Sequence, residues 1–195
     1  MTKSFSRSFS GVCIGVFVLG VATYSAFSFQ RHENEKVEPA RAFRLTEIES
    51  ELDAAGVETL LAVRTKDVDA NGDWHSAVQP IGKSGGVDYS RTSEGLSVSK
   101  GQERTRLDEG KEQAGVPELM QKSRTVGFYK NHPDLVGTDT IAGLEVYRLR
   151  RPLDGGNGWM EMENSPKTGH IPLRVILHKP DGSEHKIEAV KVEFK

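Results

Sequence analysis

The chain has 195 residues, 36% of them hydrophobic and 28% charged, with 26 Lys and Arg against 28 Asp and Glu, six His and one Cys. This near-neutral balance excludes a phosphate-dominated nucleic-acid binder, which needs a basic excess. One Cys excludes a disulfide framework and a cysteine-built zinc site, and the length fits one ordinary domain with an appended segment.

Residues 1–10 carry Lys3 and Arg7 and no acid, and Gly11 to Phe29 follow without a charge. A positive start before an apolar run reads as an export signal, with the C-terminal bulk translocated. Residues 1–29 therefore form a signal peptide or a signal anchor. Ala26-Phe27-Ser28 fits a small-x-small cleavage site near Ser28, while 19 apolar residues can also span a bilayer as an uncleaved helix at 11–29. Cys13 follows Ser10-Gly11-Val12, which is no lipobox. Without Lys3 and Arg7, 24 basic residues face 28 acidic ones, and the net charge becomes −4.

Residues 30–42 read as a polar tether and 43–195 as the folded domain. Leu45, Ile48, Leu52 and Ala55 recur at helical spacing, Thr46 and Glu49 match a capping box, and Gly56 stands at the stop. This predicts a packing helix at about 47–55. Beyond Gly56 the period becomes that of strands, at 57–65, 74–81, 87–99, 103–107, 140–150, 159–163, 171–178 and 184–194. Pro117–Gln121 reads as a helical turn and Val126–Tyr129 as extended. Regular strands without intervening helices mean an antiparallel sheet, so the class is mainly β (α+β).

The last two strands can be read further. Asp181-Gly182 marks the turn, which sets Lys179 opposite Glu184 and brings His178 near His185. Leu173, Val175 and Leu177 share one face. Ile187 and Ala189 share a face, but Val190, Val192 and Phe194 fall in the opposite phase. A phase switch at Ala189-Val190 is what a β-bulge produces, and bulges bend sheets, so the sheet is expected to curve.

Three motifs lack the context their chemistry needs. Ala77–Ser84 resembles a relaxed phosphate loop, and Gly82–Gly86 contains G-x-S-x-G with Ser84 as a would-be hydrolase nucleophile. Both need a following helix and a parallel sheet, which Gly85-Gly86-Val87 does not begin. Asp67, Asp69 and Asn71 match the first half of a calcium loop, but Val78 stands where its bidentate acid belongs, and the same residues make ordinary hairpin turns. No catalytic residue and no cofactor is assigned.

In the last third, Gly137–Leu149 (GTDTIAGLEVYRL), Trp159-Met160-Glu161 and Ser165–Val175 (SPKTGHIPLRV) look like the closing strands of the LolA/LolB/RseB-like group. About 60 residues carry this resemblance. It implies a curved half-barrel in the bacterial cell envelope, with lipid, lipoprotein or another envelope protein as partner. On that basis the expected function is non-enzymatic binding of an apolar ligand on a concave sheet face. The candidate lining is Leu45, Ile48 and Leu52 on the helix and Phe128, Met160, Met162, Leu173, Val175 and Leu177 on strands. The alternative is a membrane-tethered regulatory or scaffold module.

Overall fold

The structure, a computed structural model, describes residues 37–83, 85–92, 95–106, 122–156 and 158–195. The signal segment, residues 30–36 of the tether, Ser84 and the expected turn at Pro117–Gln121 lie outside them.

The described residues form one unclosed, curved antiparallel sheet of eleven strands and one short helix. In chain order these are β1 Phe43–Leu52, β2 Glu58–Val68, β3 Trp74–Pro80, β4 Val87–Thr92, β5 Gly95–Lys100, β6 Glu103–Arg106, α1 Val126–Lys130, β7 Leu135–Ile141, β8 Leu144–Pro152, β9 Trp159–Asn164, β10 Pro172–His178 and β11 Glu184–Phe194. The spatial order, β6-β5-β4-β3-β2-β1-β11-β10-β9-β8-β7, is two meanders joined where the first strand pairs with the last. β6 and β7 are the edges.

The mainly β class and the curved sheet are as expected, but the helix at 47–55 is not there. Residues 43–52 are β1, paired with β2 on one side and β11 on the other. The helical spacing had mixed two strand faces. Leu45 points to the side on which α1 packs (the inner face), whereas Ile48 and Leu52, three and seven residues on, point to the other. Glutamates in this central strand are neutralised across it: Glu47 by Lys66 at 3.2 Å and Glu49 by Arg64 at 2.7 Å. Gly56, read as a helix stop, is instead the left-handed residue (φ +84°) of the β1–β2 turn, whose Asp53 carboxylate accepts from Ala55 and Val57 N–H.

The helix lies at 126–130, where an extended segment was expected. Thr125 caps it, its hydroxyl accepting from Phe128 N–H. Tyr129 sends its ring onto Tyr147 (5.3 Å between centroids, 9° between planes) and donates its hydroxyl to Gly169 O at 2.7 Å.

The bulge lies where the phase switch put it. Thr46 pairs with Lys191 and Glu47 with Ala189, so Val190 is the extra residue of β11. It returns Val192 and Phe194 to the inner face beside Leu45 and Phe43. The other end of the hairpin differs from expectation. Pro180 fixes the second position of a turn that runs Lys179–Gly182, so backbone pairing resumes at Lys179–Ser183. Glu184 therefore faces His178 (2.9 Å) and not Lys179, which pairs with Glu51, while His185 faces Leu177 and not His178.

Two apolar clusters pack against the sheet, and on β8 Leu144 and Val146 of the larger alternate with Tyr147 and Leu149 of the smaller. The larger joins Phe43, Leu45, Val68, Ile141, Leu144, Val146, Ile171, Leu173 and Ala189; the smaller joins Tyr129, Tyr147 and Leu149 with Val126, Phe128 and Leu135. On the outer face, ion pairs run across strands through Asp139, Arg148, Glu163, Arg174, Glu188, Lys186 and Glu58. Glu163, 1% exposed, lies between Arg148 and Arg174. Burial lowers the pKa of Arg174, but its bonds to Glu188 and Glu163 outweigh this and hold it above the ordinary arginine value.

Candidate functional site

Cross-strand pairing places side chains in rows. Leu149 is opposite Met162, Met162 opposite Val175, and Val175 opposite Ile187, in a row over β8, β9, β10 and β11. Next to it, Met160 is opposite Leu177. Residues directly opposite share a face, and Leu149 packs under α1, so both rows lie on the inner face. Met160, Met162, Val175, Leu177 and Ile187 are each half-buried, and none belongs to either packed cluster.

Charges bound this patch. On the β1 side, Glu49 accepts from Arg64 and pairs with His185 at 3.0 Å; the hydrogen bond from His185, with Arg64 against the opposing effect of burial, keeps its carboxyl below the ordinary value. On the β8 side, Arg151, opposite Met160, pairs with Asp134 at 2.9 Å. A patch of methylenes and thioethers ringed by satisfied ion pairs can hold apolar surface; thioethers adapt to irregular shapes.

The expected lining thus divides. Met160, Met162, Val175 and Leu177 come together, as their two-residue spacing on strands required. Phe128, on α1, is packed into the smaller cluster, edge-on to Tyr129 at 5.1 Å. Leu45 (0% exposed) and Leu173 (1%) are closed core. Ile48 and Leu52 lie on the outer face, because β1 is a strand. Ile187 was missed as lining, although its phase with Ala189 was visible.

The calcium candidates are otherwise engaged. Asp67 accepts from Arg44 Nε and Nη2 at 2.9 Å and from Lys195 Nζ at 2.7 Å, and those hydrogen bonds pull it down to about 2. The Asp69 carboxylate accepts from Asn71 and Asp73 N–H, as a turn residue does. Among the described residues no group of three His, Cys, Asp or Glu is disposed to hold a metal ion. Ser84 lies outside the described residues, and Gly85-Gly86 lead straight into β4.

Neither a protein-family model nor a curated protein sequence matches the chain. Among solved structures it is similar to the Pseudomonas aeruginosa MucA/MucB complex (14% identity over 80% of this chain and 52% of that one, TM-score 0.46). It is also similar to a LolA superfamily protein of Nitrosomonas europaea (13%, 80% and 87%, 0.40) and to the Mycobacterium tuberculosis lipoprotein LppX (11%, 75% and 84%, 0.37). The chain spans about half the length of the first. At these identities the likeness concerns the fold alone.

Proposed function

We propose that this chain is an exported, non-enzymatic cell-envelope protein whose inner sheet face holds an apolar ligand, a lipid or the acyl chain of a lipoprotein. The observation that carries the reading is the patch of Met160, Met162, Val175, Leu177 and Ile187, half-buried on the common face of three neighbouring strands and outside both packed clusters. Lys3, Arg7 and the uncharged run at 11–29 support export, with cleavage near Ser28 or retention as an inner-membrane anchor. Among the described residues no helix is long and apolar enough to cross a membrane.

Burying about ten methylenes is worth about 8 kcal/mol, from which at least about 4 kcal/mol of association cost is subtracted. The net is at most about 4 kcal/mol, a Kd of about 1 mM or weaker for ten methylenes. Each added methylene should tighten binding about four-fold. A series of linear alkanols titrated into the protein checks this, and an affinity independent of chain length overturns it.

A second reading, a regulatory or scaffold module, is favoured by the sheet's two edges. β7 carries Val136, 51% exposed, on an edge that a partner's strand could extend. Protection of β7 amides from hydrogen exchange on binding an envelope protein would support it over the first.

A further inference from the structure

Between the tether, where Glu38 N–H donates to Arg124 O at 2.9 Å, and the β9–β10 turn, basic side chains gather. Arg124 is 6% exposed, yet its guanidinium makes one hydrogen bond, from Nη1 to Pro39 O at 3.4 Å, and pairs with no carboxylate among the described residues. Arg64, Arg148, Arg151 and Arg174, all less buried, each have a carboxylate partner. A buried charge is ordinarily paired. Arg124 Cζ lies against Gly169, 3.5 Å from where a Cβ would stand, and the next residue is His170. His170 has a buried Nδ1 with no hydrogen-bond partner. Arg91 of β4 lies on the inner face opposite Trp74 and Leu96, and its field reaches His170.

We propose that Arg124, His170 and Arg91 form a binding site for an anionic oxygen group, a phosphate or a carboxylate. The guanidinium of Arg124 has donors to spare, Nδ1 of His170 becomes a donor once protonated, and Arg91 supplies the second fixed charge. The effect on His170 agrees: burial, then the fields of Arg124 and Arg91, push it down to about 4. An anion would reverse the part due to the arginines. In a flat sheet, β4 and β10 are five strand steps and so about 24 Å apart; curling brings Arg91 within electrostatic reach of His170. The site stands independently of the apolar patch.

The test follows the imidazole NMR signals of His170, identified by His170→Gln, and the methyl signals of Met160 and Met162 in the full chain. The probes are inorganic phosphate, dodecyl phosphate below its critical micelle concentration, and dodecanol. Both phosphates are expected to move His170 while dodecanol does not. Arg91→Gln should weaken either phosphate about ten-fold, the usual worth of a charge-assisted contact, and Arg124→Gln likewise if it folds. Dodecyl phosphate acting at a lower concentration than inorganic phosphate marks a lipid head group; equal concentrations mark a free anion. If neither phosphate moves His170, or if Arg91→Gln changes neither affinity, the site is disproved. Dodecanol leaving both methionine methyls unmoved would overturn the acyl reading instead.

Discussion

At Gly158, just before β9, φ is +105°, and a Cβ built there would overlap the carbonyl oxygen of His178. That carbonyl belongs to β10, which is fixed by pairing on both sides, so neither partner can retreat. Gly158→Ala should cost about 3 kcal/mol from overlap and strain together. Gly143 also has positive φ, but open space around its Cβ position, so Gly143→Ala should cost only about 1 kcal/mol. Urea denaturation of the two variants checks the difference; equal costs would mean the backbone near Gly158 yields.

His170 gives a residue-scale prediction with a sign. Its pKa is about 4 folded, below the ordinary unfolded value of about 6.5, so the unfolded chain binds the extra proton first. The contribution is fully present above pH about 6.5 and is lost as pH falls toward 4, by at most about 3 kcal/mol. His170→Gln should remove this part of the pH dependence. Denaturation midpoints at pH 7, 5.5 and 4 measure it, and parallel profiles for the two proteins would refute it.

Among the elements, β11 shows what was legible in the sequence. Its apolar residues switch phase at Ala189-Val190, and no regular strand can bury both sets, so a bulge was the physical solution. β1 was not legible because its apolar spacing fits a helix as well as it fits a strand that buries one face and half-buries the other. What decides is pairing on both sides, which places Lys66, Arg64 and His185 beside Glu47 and Glu49. α1 was missed because five residues show no full period; Thr125 before Val126, Phe128 and Tyr129 was the available signal. The bulge carries a prediction. Deleting Val190 slips the end of β11 by one residue and turns Val192 and Phe194 outward. Val192 packs against the larger cluster and Phe194 against Phe43 at 6.0 Å, so the loss should be about 2–4 kcal/mol. Val190→Asn, at a position 51% exposed, should change stability by under about 0.5 kcal/mol. A thermal melt of both variants separates register from composition.

For the molecule as a whole, the question is which apolar residues hold the sheet and which remain for a ligand. In sequence they look alike, because strands that bury one face place core and lining residues at the same two-residue spacing. Only the three-dimensional rows separate Leu173, inside the larger cluster, from Met160, Met162, Val175 and Leu177, outside it. The same limit hid the arginine–histidine group, whose members come from β4, the residue before α1's cap and the β9–β10 turn. The division between core and lining has a direct consequence. Leu173→Ala should cost about 2–5 kcal/mol, as core truncations do. The double change Met160→Gln with Leu177→Gln should cost within about 1 kcal/mol, because both side chains are partly exposed to water already and stand outside the packed clusters. Binding should divide the other way. An alkanol at about 100 times its Kd stabilises the folded chain by about 2.7 kcal/mol, a rise in Tm of about 5–10 °C for a domain of this size. Leu173→Ala should keep that rise from a lower starting Tm, and the double variant should lose it from a nearly unchanged one. If the double variant melts as early as Leu173→Ala, the patch is core, and the inner face has no apolar surface to offer.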